Sequence, residues 1–174
     1  GDGPGVGAQL SLHPDVDMIS FTGSTRAGIA ITRAAADTVK KVALELGGKG
    51  ANLVFADADP AAVERGARHC FYNSGQSCNA PTRMLVERSF YETAVEQARK
   101  VAEDTPVATA HQPGRHIGPV VSKLQWDRIQ DLIEKGVNEG ARLVAGGPGL
   151  PEGVNRGYYV RPTVFADVNN DMSI

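Results

Sequence analysis

The chain has 174 residues, 41% of them hydrophobic and 22% charged, and 18 basic against 20 acidic side chains leave a net charge of −2. That balance gives no electrostatic basis for gripping nucleic acid or an anionic membrane, and no apolar run approaches the roughly 18–20 residues of a membrane span. Two cysteines without C-x-x-C spacing, and four histidines (His13, His69, His111, His116) outside any ligand motif, argue against a metal site, and with no secretion-signal pattern the sequence reads as cytoplasmic.

In chain order, Gly1-Asp2-Gly3-Pro4-Gly5-Val6-Gly7 reads as a loop, and Val6–Leu12 as a short helix stopped near Pro14. Met18–Phe21 reads as a strand. Ala27, Ala30, Ile31, Ala34 and Ala35 repeat at helical spacing, with Ser24 or Thr25 suited to the N-cap. Lys41–Leu46 and Ala51–Phe55 are the next strands. Asp59-Pro60, an acidic cap with proline in the first turn, predicts a helix whose inner face carries Val63, Ala67, Cys70 and Phe71.

Arg83–Val86 is a further strand. Ser89 and Glu92 form a capping-box pattern for a helix burying Ala94, Val95, Ala98, Val101 and Ala102. Thr105–Gly118 reads as a loop. Ser122 and Gln125 open a helix burying Ile129, Leu132, Ile133 and Val137 and ending at Gly140; Arg142–Ala145 and Tyr158–Phe165 are the last strands. Strands alternating with helices predict an α/β architecture. The missing initiator methionine, and an Ile174 end without a stop signal, predict an internal stretch of a longer protein.

Three stretches carry chemistry. Phe21-Thr22-Gly23-Ser24-Thr25-Arg26-Ala27-Gly28 runs from strand to helix through glycine and hydroxyls, where free N–H groups and the helix dipole suit a pyrophosphate. It matches neither a P-loop nor G-x-G-x-x-G, and a capped turn without a ligand has the same signature. In Leu44-Glu45-Leu46-Gly47-Gly48-Lys49, a glutamate flanked by apolar residues at a strand end is expected to be partly desolvated, which suits a general base. A solvated edge glutamate, or a partner for Lys49, is the alternative. In Gly75-Gln76-Ser77-Cys78-Asn79-Ala80-Pro81-Thr82-Arg83, a cysteine at a helix end among turn residues is placed for access, whereas Cys70 reads as core.

These stretches, in this order, resemble the aldehyde dehydrogenase superfamily, whose signatures F-T-G-S-T-x-x-G, L-E-L-G-G-K and G-Q-x-C-x-A-x-x-R all stand here intact. The thirty-three positions from Glu45 to Cys78 match the family's separation, and Asp57-Ala58-Asp59, Gly118-Pro119 and Gly157–Thr163 agree with it. The resemblance implies the C-terminal part of a Rossmann-like cofactor domain over residues 1–46, and most of the first half of a catalytic domain over 47–174. It implies oxidation of an aldehyde to an acid with NAD or NADP, by the branch that hydrolyses its thioester. Cys78 would be the nucleophile, its N–H half of an oxyanion hole, and Glu45 the base activating water. Thr22, Gly23 and Ser24 would line the cofactor, Leu46 the nicotinamide, and Gln125 and Arg128 its ribose. The parent would be a homodimer or homotetramer.

The upstream cofactor-domain half, and the E-E-x-F-G-P segment expected beyond Ile174, are not in this sequence, so the stretch alone is expected to turn over little. Two other readings compete. One is a cysteine hydrolase pairing Cys78 with His111 or His116, which leaves the first two stretches without a role. The other is a non-catalytic fragment that self-associates through open edges.

Overall fold

A computed structural model describes residues 1–109 and 111–174. Contacts divide the chain into two units, Gly1–Gly48 and Lys49–Ile174.

In the first unit a wide turn at Gly3–Gly7, where the Asp2 carboxylate accepts the Gly5 amide at 2.8 Å, leads into α1 (Ala8–Leu12). β1 (Met18–Gly23), α2 (Thr25–Ala36) and β2 (Lys41–Leu46) then form a β-α-β unit. β1 and β2 pair in parallel, from Met18 opposite Lys41 to Gly23 opposite Leu46, so β1 runs two residues beyond its predicted end. Ser24 is the cap of α2, its hydroxyl accepting the Ala27 amide at 3.3 Å. Leu44 and Leu46 face α2 at the buried Gly28, where a Cβ would lie 3.4 Å from Leu44 Cδ1 and 3.1 Å from Leu46 Cδ2. A glycine here lets the helix lie close on the strand. α2 ends in a Schellman arrangement: the Lys40 amide reaches the Ala35 carbonyl and the Val39 amide the Ala36 carbonyl. Val39 between them has φ +54° and is 89% exposed.

In the second unit β3 (Ala51–Val54) and β4 (Arg83–Val86) pair in parallel across α3 (Ala62–Phe71). α4 (Tyr91–Glu103) packs on α3. Val54, Val63 and Ala94 form the centre of the core, with Met84, Val86, Phe90 and Ala98 around them. α5 (Lys123–Asn138) precedes β5 (Arg142–Ala145) and β6 (Val164–Ala166), an antiparallel pair with an irregularity between Leu143 and Ala145. No helix among the described residues is long and apolar enough to cross a membrane.

The structure departs from the sequence pattern at several points. The Asp59 carboxylate does reach the Ala61 amide at 2.8 Å, but the regular helix starts only at Ala62. The Ser89–Glu92 capping box does not form: Arg88–Phe90 is a 3-10 turn, Ser89 donates to Glu87 at 2.7 Å, and Glu92 pairs with Arg142. On α5, Leu132 and Val137 are exposed. The inner face is instead set by Ile133, Gly136 and Gln130, whose Oε1 accepts the Gly149 amide at 2.6 Å. The predicted strand Tyr158–Phe165 contracts to Val164–Ala166 because its first half bonds elsewhere. The Tyr158 carbonyl takes the Val120 amide, Tyr159 takes the Trp126 indole N–H, and Pro162 has no amide to offer a ladder.

Candidate active site

The parallel register brings one group of candidates together. Thr22 stands opposite Glu45 and Gly23 opposite Leu46, at the carboxyl ends of β1 and β2, and Ser24 caps the helix that follows. In open α/β sheets this end of the strands is where ligands dock. Thr22, Gly23, Ser24 and Glu45 are exposed there, while Leu46 is half-buried against α2. Within this stretch Glu45 is exposed, and the described residues supply none of the desolvation its neighbours suggested. Side chains alternate across a strand, so Leu44 and Leu46 point to α2 and Glu45 to the opposite face.

α2 is suited to an anion at its start. Its first turn holds no acidic side chain. Its early N–H groups have no helical acceptor, as at every helix start. Ser24 uses an oxygen lone pair for the Ala27 amide, so its hydroxyl proton stays free to donate.

The second unit holds Cys78, Gln125 and Arg128. Cys78 does not lie at a helix end: α3 stops at Phe71, and a kinked turn over Tyr72–Gly75 intervenes. Asn73, Ser74 and Gly75 all lie in the left-handed region, with φ of +51°, +57° and +76°. The chain then forms a turn from Ser77 to Ala80, closed by the Ala80 amide on the Ser77 carbonyl at 3.1 Å, with Cys78 exposed on it.

Cys70 is half-buried on α3 and lines an apolar cavity of about 160 Å³ with Ala67, Phe71, Met84, Val95 and Phe165. Burial pushes its thiol up, only partly countered by the Lys49 ammonium, as expected of a core cysteine. Gln125 and Arg128 lie three apart on the first turns of α5, both exposed. His111 is exposed and His116 half-buried in the irregular segment before α5. Among the described residues no group of three His, Cys, Asp or Glu side chains could hold a metal ion.

Two residues to which the motifs assign no role hold the Cys78 turn. Ser74 Oγ donates to the Gly118 carbonyl at 2.7 Å, and Gln76 Oε1 accepts the Val121 amide at 2.8 Å. Gln76 is the glutamine of the G-Q-x-C signature and Ser74 lies in the turn-forming run Asn73-Ser74-Gly75, but neither pattern says what these side chains bind.

The aldehyde dehydrogenase family profile matches residues 1–174. Among curated relatives, a 3-succinoylsemialdehyde-pyridine dehydrogenase from a Pseudomonas species is 50% identical over all of this chain and 37% of its own length. A crystal structure of an aldehyde dehydrogenase from Bartonella henselae superposes with a TM-score of 0.96 at 66% identity, covering 99% of this chain and 36% of that one. A cysteine-to-alanine variant of aldehyde dehydrogenase C from Pseudomonas syringae, solved with NAD+ and octanal, gives 0.94 at 45% identity, again over 99% and 36%. The chain thus spans a little over a third of the length of the relatives it matches.

Proposed function

Because this chain belongs to the aldehyde dehydrogenase family along its whole length, we propose that it supplies the nucleophile and the base of an NAD(P)+-dependent oxidation of an aldehyde to a carboxylic acid. The Cys78 thiolate attacks the aldehyde carbon and gives a thiohemiacetal, whose oxyanion is met by the Cys78 backbone N–H. When bound, the dinucleotide supplies the hydride acceptor. Loss of hydride leaves a thioester on Cys78. Glu45 takes a proton from water, the water oxygen attacks the acyl carbon, and the acid departs as the thiolate is restored. Thr22, Gly23 and Ser24 hold the cofactor at the start of α2, Leu46 packs beside the nicotinamide, and Gln125 and Arg128 approach its ribose. Residues 1–46 then belong to the cofactor domain and 47–174 to the catalytic domain, of a protein that works as a homodimer or homotetramer in the cytoplasm.

The observation that carries this reading is the β1–β2 register, which sets Glu45 opposite Thr22 at the strand ends, immediately before the Ser24-capped helix. A relative solved with NAD+ and octanal together, in a variant with one cysteine replaced by alanine, supports it. The test is alkylation of Cys78 by iodoacetamide, followed by mass spectrometry with Cys70 as internal control, with and without a medium-chain aldehyde. The aldehyde should slow Cys78 at least threefold and leave Cys70 unchanged; equal effects on both thiols refute the nucleophile. The 174-residue stretch alone should form little NADH, and robust turnover would show that it needs no further segments.

A further inference from the structure

We propose that Ser74 and Gln76 are positioning residues for the thiol of Cys78, an inference that rests on the reading of Cys78 as nucleophile. The turn carrying Cys78 follows three consecutive left-handed residues, two of them not glycine. Such a backbone persists only where its surroundings over-determine it. Here the surroundings are two side chains of the same loop. The Ser74 hydroxyl donates to Gly118 and the Gln76 amide oxygen accepts from Val121, 44 and 45 residues along the chain. Gln76 also turns its Nε2 back to the Asn73 carbonyl at 3.1 Å, closing the loop on itself.

The segment they grip is itself tied down. The Val120 amide donates to the Tyr158 carbonyl at 2.9 Å, Val120 is buried, and Ser122, one residue past Val121, caps α5 by accepting the Gln125 amide. The Cys78 turn is thus fastened at two points to a strap anchored on Tyr158 and on the helix that carries Gln125 and Arg128. Among the described residues, the N–H groups of Cys78 and Asn79 meet no protein acceptor. On a turn held at two points the thiol and these free donors keep one orientation; on a loose turn that orientation averages away.

The test uses Ser74→Ala, Gln76→Met and Ser74→Asn in the full chain. Asparagine keeps a donor and accepts the left-handed backbone. Two readouts are followed: amide hydrogen exchange at Ala80 and Val121, and the pH profile of Cys78 alkylation against Cys70. Ser74→Ala and Gln76→Met should speed exchange at both amides at least tenfold and slow Cys78 alkylation near neutral pH at least fivefold. Exchange in α3 and α4 should not change, and Ser74→Asn should stay within twofold of the parent in both readouts. Faster exchange with unchanged alkylation would show that the pair holds backbone without positioning the thiol, and would overturn the proposal. So would unchanged exchange. If Cys78 of the unaltered chain already alkylates no faster than Cys70, the nucleophile reading itself has failed, a result distinct from either of these.

Discussion

The Trp126 indole N–H donates to the Tyr159 carbonyl at 2.8 Å, fixing the first turn of α5 to a stretch that forms no ladder of its own. Tyr159 is buried, so this carbonyl has little access to water in exchange. Trp126→Phe keeps most of the ring volume but leaves the acceptor unpaired, at a cost of about 1–3 kcal/mol. A lower urea midpoint with an unchanged slope checks this; an unchanged midpoint would mean the carbonyl finds another donor.

Acid sensitivity should centre in part on Asp167. Its carboxyl is held below the usual aspartate range, first by the hydrogen bond from Arg142 at 2.7 Å and then by the Tyr91 hydroxyl. A carboxylate whose folded pKa is depressed contributes stability above its unfolded value, about 3.9, and loses it as pH falls through the folded one. Asp167 also has φ +59°, which asparagine tolerates equally, so Asp167→Asn isolates the charge. The variant should be less stable near neutrality, and its difference from the parent should shrink as pH falls from about 4 downward. Melts across that range decide it, and a difference that stays constant would remove the charge from the account.

Ser24 holds two roles that substitution can separate. Ser24→Ala removes the cap of α2 and should cost about 1 kcal/mol. Ser24→Asp caps equally well and favours the helix dipole, so the melting temperature should return to that of the parent or exceed it. The same carboxylate would face a pyrophosphate with like charge. Under the proposed function, NAD+ should therefore protect the aspartate variant less than the parent in a thermal-shift titration. Equal protection would place the phosphates elsewhere.

Much of this was legible in the sequence because it follows from local rules. Ser24 as cap, β2 at Lys41–Leu46, β4 at Arg83–Val86 and the Ser122 cap all depend on residues within a few positions. What failed depends on distant partners. Glu92 reads as the second half of a capping box until Arg142, 50 residues on, takes it. Leu132 looks inward by period, but Gln130 claims the buried face through Gly149. The same holds for the site. Motifs mark Thr22, Glu45 and Cys78 as candidates, whereas the grip of Ser74 on Gly118 spans 44 residues and leaves no local pattern.

Val39 occupies the position after α2 where the Schellman geometry demands a left-handed backbone, a conformation that a β-branched side chain adopts only under strain. Its side chain is almost wholly in water, so little packing compensates. For anyone engineering a sturdier variant, this is the first place to edit. Val39→Gly should stabilise the chain by about 1 kcal/mol or more, read as a higher melting temperature. Ser74 has similar dihedrals but the opposite standing, since glycine there would relieve the backbone and surrender the bond to Gly118. Two left-handed residues of one chain thus differ in what glycine would cost: little packing at Val39, a bond across 44 residues at Ser74.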